Sequence, residues 1–257
     1  MKVALAVNDD GFESVGLRIL VEELSLAGYR VYVCAPSTQM SGISKTVSFK
    51  RLGRDGRVAY REAVLRDAVK SWVLNATPAE SVLVCLKALL PEPPSVVVSG
   101  VNIGPNLGLE DFLTSGTVGA ALEAALHGVP GIAVSLAAHN VSEELHYRVA
   151  ARIASTLAVE MPKLVPDVNL VNINVPPNPK GVMVTKLALN PYKPRFKITG
   201  GFIEVIDDDL EERYWDREPG TDVWAVMRGY ASITPLNLNA STFVAGEAFI
   251  KLSEIIS

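Results

Sequence analysis

Over residues 1 to 136, short apolar runs alternate with amphipathic segments. A chain patterned in this way buries its core by laying helices over a mostly parallel sheet, one βαβ unit after another. "KVALAV" (Lys2 to Val7) reads as a strand buried on both faces. Leu17, Leu20, Val21 and Leu24 then fall on one helical stripe that stops at Gly28, a residue suited to the left-handed position past a helix end. "YRVYVCAP", "SVVVSG" and "GIAVSL" read as further buried strands. Thr77, Pro78 and Glu80 form a capping box with proline at the first helical position, which starts a helix through "AESVLVCLKALL". "SGTVGAALEAALHG" reads as a helix closing at Gly128.

Between Val47 and Leu74 the period is two, in "TVSFKRL", "RVAYREAVL" and "VKSWVL", so antiparallel strands are expected, inserted into the main sheet or edging it. A long helix is expected from Ser142 to Met161. Beyond it "VNLVNINVP", "GVMVTKLAL", "FIEVID" and "DVWAVMRGYASITPL" read as strands, and "STFVAGEAFIKLSEIIS" resumes a helical pattern.

With 49% hydrophobic residues in 257, the chain can bury a large core. Its net charge of −4 argues against polymeric nucleic acid as a partner, since that needs clustered Lys and Arg. A small anion is acceptable if a metal ion brings the positive charge. Cys34 and Cys85 sit among apolar residues, outside any CxxC or Cys/His cluster, and read as buried inert thiols. The apolar run after Lys2 is too short for a secretory signal and no stretch reaches membrane-spanning length, so the cytoplasm is the expected compartment.

Open α/β sheets bind ligands beyond the carboxyl ends of their strands. The segments expected there are "NDDG", "PSTQMSGIS", "SGVNIGPNLG" and "TSGT", all rich in oxygen donors and glycine. Asp9 and Asp10 stand where a dinucleotide fold would place glycines, and two carboxylates there would repel phosphate. A hard cation such as Mg²⁺ or Mn²⁺ between acids and phosphate resolves the conflict; the plainer alternative is that one Asp caps the following helix. Ser41, Gly42 and Ser44 form a hydroxyl-rich loop with no histidine in its sequence neighbourhood, which argues against a serine hydrolase. Asn102 and Asn106 bring amides and bare backbone together, and Ser115, Gly116 and Thr117 precede a helix whose free N–H groups can meet an anion.

Taken in order and spacing, "VNDDG", "APSTQMSG", "TPAE", "SGVNIGPNLG", "SGTVGAALEAA", "NINVP" and "GYASITPL" resemble the SurE survival-protein family across residues 3 to 236. The resemblance implies a Rossmann-like α/β catalytic domain over 1–180, and over 181–257 a smaller β-rich part with an extended hairpin and a terminal helix, serving oligomerisation. It also implies homodimers with exchange of C-terminal elements, which can pair into tetramers, and hydrolysis of nucleoside 5′- and 3′-monophosphates or general acid phosphatase activity. Asp9, Asp10, Ser41 and Asn102 match the family's site for one divalent ion. Asn8, Gly42, Asn106, Ser115, Gly116 and Thr117 match residues around the phosphate. The chain departs from the family pattern in reading "ATPAE" at Ala76 to Glu80, in carrying Ile103 and Thr114, and in one extra residue within Leu109 to Asp111. Asp10 can be base, nucleophile or ligand on this reading. A haloacid-dehalogenase phosphatase needs two aspartates spaced two apart, which Asn8-Asp9-Asp10-Gly11 does not supply. A binding module without turnover is the nonenzymatic rival.

Overall fold

The computed structural model describes residues 2–49, 55–138, 143–165, 167–206, 213–215 and 217–238. Its centre is a nine-stranded sheet in the order β3-β4-β2-β1-β5-β6-β7-β11-β8. The parallel body comprises β4 (Lys70–Leu74), β2 (Arg30–Pro36), β1 (Val3–Val7), β5 (Val96–Ile103), β6 (Gly131–Leu136) and β7 (Leu170–Val175). At one edge β3 (Tyr60–Ala63) runs antiparallel to β4. At the other, β11 (Ala231–Leu236) runs antiparallel to β7 and carries the short β8 (Val182–Val184) parallel to itself.

Alternation along β1 shows why both faces need cover. Ala4 and Ala6 pack with Leu17, Leu20 and Leu24 of α1 (Val15–Leu26) and with Ala150 and Ala154 of α5 (Glu144–Leu164). Val3, Leu5 and Val7 face the other way, toward Val82 of α2 (Pro78–Val84) and Ala120 and Ala124 of α4 (Gly116–Leu126). Each fully buried leucine of this kind contributes about 1.5–3 kcal/mol. The helices also lock to each other: Glu23 of α1, almost wholly buried, accepts from Arg148 at 3.0 Å and Arg152 at 3.3 Å on α5.

The expected helix boundaries hold where a cap marks them. Gly28 follows α1 with φ +89°, and the Thr77 hydroxyl accepts from Glu80 N while Glu80 returns the bond to Thr77 N. A π-helical turn, Cys85–Leu89, extends α2. Three expectations are corrected. The first part of "DVWAVMRGYASITPL" is a helix, α6 (Asp222–Met227), because Thr221 caps it by accepting from Trp224 N, and its apolar residues bury one face. "GVMVTKLAL" is extended only over β8. "TVSFKRL" forms no strand over residues 46–49, and its remainder lies outside the described residues. A short helix not anticipated, α3 (Gly108–Thr114), stands before α4.

The expected hairpin is β9 (Arg195–Thr199) with β10 (Phe202–Ile206), a separate antiparallel pair. Phe196, Ile198, Phe202 and Ile203 on it are each more than half exposed. The helical pattern expected near the end of the chain falls on 241–257, outside the described residues.

Candidate active site

β2, β1 and β5 are adjacent and parallel, so the loops leaving their carboxyl ends meet above the middle of the sheet. Met40 N donates to Asp9 O at 2.7 Å, Phe12 N to Pro36 O at 3.0 Å and Ser44 N to Thr114 O at 2.8 Å, tying the loop after β2 to the turn after β1 and to the end of α3. A cleft of about 200 Å³ opens there, with Asp9, Ser41, Gly42, Asn102, Asn106 and Ser115 among its lining residues.

Neither aspartate caps α1. That role belongs to Ser14, whose hydroxyl accepts from Leu17 N. Asp9 is buried, and its Oδ1 accepts a short hydrogen bond from the Thr117 hydroxyl. Burial lifts its pKa above the ordinary carboxylate value, against the pull of the Thr117 bond. Asp10 is half-buried beside the cleft, where Ile103 N donates to its Oδ2 at 3.3 Å. Burial first, and then the neighbouring charge of Asp9, push Asp10 up to about 7. No basic side chain among the described residues offsets either charge.

The remaining expected residues divide into two groups. Asn102 is buried at the cleft, its amide nitrogen committed to Gly104 O at 2.8 Å, which leaves the amide oxygen for a ligand. Ser41 stands exposed at the rim, and Ser115 caps α4 by accepting from Val118 N at 3.1 Å. Asn8, Gly116 and Thr117, expected at the phosphate, are buried next to the acids. Asn8 is wholly buried and donates to Gly11 O and Ser14 Oγ, so it shapes the turn that presents Asp9 and Asp10. Thr117 steadies Asp9. Gly116 makes room for it: a β-carbon at 116 would lie 2.8 Å from Asp9 Cβ and 2.9 Å from Asp9 Oδ2.

Two sets of residues gain a place only through the fold: Asn172, Asn174 and Ser135, which hold Asn106, and the cleft-lining Asp111, Arg213 and Tyr214. Asn106 is held from all sides: its N–H donates to Asn174 Oδ1 at 2.7 Å, its carbonyl accepts from Asn172 and Asn174, and its amide nitrogen donates to Ser135 Oγ. Asparagines at alternate positions of the otherwise apolar "LVNINV" were the available signal. Asp111, Arg213 and Tyr214 also line the cleft, joined by bonds from the Arg213 guanidinium and the Tyr214 hydroxyl to the Asp111 carboxylate. These partners are far apart in sequence and left no local signal.

The family model described as survival protein SurE matches residues 4–194. The chain belongs to the SurE family. Among its relatives, a 5′-nucleotidase SurE of Pelotomaculum thermopropionicum is 35% identical, with 96% of this chain and 94% of that protein covered. A 5′-nucleotidase SurE of Archaeoglobus fulgidus is 36% identical, covering 95% and 94%. The crystal structure of a SurE protein from Aquifex aeolicus superposes with a TM-score of 0.80 at 30% identity, over 98% of this chain and 99% of that one. The expected architecture, a mostly parallel sheet between helices with a small antiparallel pair late in the chain, is thus that of a solved SurE structure.

The donor set suits a hard cation. No group of three or more His, Cys, Asp and Glu that could hold a metal occurs among the described residues. Such an ion at this cleft would therefore rely on the two acids and on neutral oxygens such as those of Asn102 and Ser41. Two adjacent carboxylates, one buried and one half-buried, with raised pKa and no basic partner are what a divalent ion would relieve.

Proposed function

We propose that the cleft hydrolyses nucleoside 5′- and 3′-monophosphates to nucleoside and phosphate, using one divalent cation, Mg²⁺ or Mn²⁺. The observation that carries this reading is the uncompensated pair of carboxylates, Asp9 and Asp10, beside Asn102 and within the same ring of loops as Ser41. These four residues would hold the ion. When bound, it supplies positive charge against a phosphoryl oxygen and makes a water molecule more acidic.

The chain's own residues do the rest. Thr117 and Gly116 fix Asp9 against the start of α4. Asp10 keeps one oxygen on Ile103 N and leaves the other for the cation or to accept a proton from the attacking water. The amino end of α4, whose dipole is positive, lies at Ser115 on the cleft and favours charge growing on the phosphoryl group. Asn106, Gly42 and Ser115 border the space left for the phosphate.

Phosphate release tests the reading: nucleoside 5′- and 3′-monophosphates should be hydrolysed with Mg²⁺ or Mn²⁺, and EDTA should abolish turnover. Binding of nucleotide without phosphate release under any divalent ion would make the chain a binding module instead.

The raised carboxylate also sets a pH dependence for the metal-free protein. Asp10 binds its proton more tightly when folded (about 7) than at its ordinary value of 3.8. Stability is therefore greatest below the lower value, falls as pH rises through the interval and levels above the upper one. A cation must displace the same proton, so Mn²⁺ should raise Tm more at about pH 8 than at about pH 5. Equal gains at both values would show that the ion does not bind at Asp10.

The exposed apolar hairpin, β9 with β10, supports self-association through the 181–257 region, as a homodimer with C-terminal exchange or a tetramer. No helix among the described residues is long and apolar enough to cross a membrane, and the cytoplasm is the proposed compartment.

A further inference from the structure

We infer that Arg213 and Tyr214, set in place by Asp111, form the part of the cleft that recognises the nucleoside half of the substrate; the inference rests on the nucleotidase reading above. Arg213 is the only basic side chain among the described residues lining the cleft. Its guanidinium donates to Asp111 Oδ1 at 2.7 Å and lies over the Tyr192 ring, 5.0 Å from the centroid. The Tyr214 hydroxyl donates to the other oxygen of Asp111. Burial and the charge of Asp111 hold the Tyr214 phenol above its usual range, so it remains a donor and the clamp stays closed.

Position assigns the task. Ser115 N donates to Asp111 O at 3.0 Å, so Asp111 lies one helical turn before the cap of α4. Ser115, Arg213 and Tyr214 line the same small cleft, so a phosphate seated at that cap would leave its ester substituent within reach of the two side chains. Charge agrees with position. A guanidinium already paired with a carboxylate competes poorly for a phosphate dianion. It keeps N–H donors for hydroxyl or carbonyl oxygens and a flat face for a ring. Ribose and base offer both.

The test compares a nucleoside 5′-monophosphate with glycerol 2-phosphate, which carries the same phosphate on a small polyol, in the full chain with Mn²⁺. For Arg213→Ala the ratio of kcat/KM values, nucleotide over glycerol 2-phosphate, should fall about tenfold or more, through a raised KM for the nucleotide. Arg213→Lys should fall between, since it keeps the charge and loses the planar fork. If Arg213→Ala folds poorly, Arg213→Lys and Tyr214→Phe carry the same comparison. An unmoved ratio, whether both substrates decline together or neither does, overturns the inference. Wild-type protein that hydrolyses neither ester would defeat the nucleotidase reading itself, a result separate from the ratio.

Discussion

Replacing Asp9 or Asp10 with asparagine is expected to lower kcat/KM by about 10³-fold or more while the fold persists. Asparagine preserves the shape of each side chain and can still accept from the Thr117 hydroxyl or from Ile103 N. What it removes is the negative charge that a cation requires. The same charge is costly in the metal-free fold, because burial disfavours both carboxylates and each repels the other. The metal-free Asn variants should therefore melt at or above the wild-type Tm at neutral pH, and Mn²⁺ should no longer raise it. Inactive variants that are also unfolded would point to a structural role, and full activity in both would reject the acid pair as the reacting centre. Measuring turnover and thermal melting on the same preparations separates these outcomes.

The second large effect is on stability. Gly16 lies in the first turn of α1, where a β-carbon would fall 1.9 Å from Val101 O and 2.9 Å from Val101 C. The obstacle is backbone, so it cannot rotate away as a side chain could. Gly16→Ala should destabilise the protein by about 3 kcal/mol, because α1 must lift from β5 to admit one methyl group. Val101 is followed directly by Asn102, so the displacement should also reduce activity. Urea denaturation and phosphate release measure the two effects, and a variant unchanged in both would show that α1 has slack at this contact.

What sequence could reveal here depended on how local the cause was. The capping box at Thr77 and the stop at Gly28 involve only neighbouring residues, and both stand where the pattern puts them. β1, β2, β5 and β6 were legible for a related reason: an apolar run bounded by turn residues is long enough for a strand and too short for a helix that spans the sheet. The same criterion misled at "DVWAVM", a short apolar run that is α6, where Thr221 followed by Asp222 was the capping signal to weigh. In the cleft, residue types chosen for chemistry identified loops that do converge, yet alone could not tell which side chains face a ligand. Asn8 and Thr117 are polar and adjacent to the acids, and only the packing shows their side chains bonded to Ser14 and to Asp9. The Asp111, Arg213 and Tyr214 contacts join residues about a hundred positions apart, through a fold that no window of sequence contains.

The grip of Asn172 and Asn174 on Asn106 separates the chain on its two sides. Residues before 106 inherit their placement from the sheet. Those after it, including the added residue within 109–111, are placed instead by α3 and by the cap of α4. Through Thr114, which accepts from Ser44 N, and Asp111, which holds Arg213 and Tyr214, a change within 107–114 would reach the rim of the cleft before it reached Asn102.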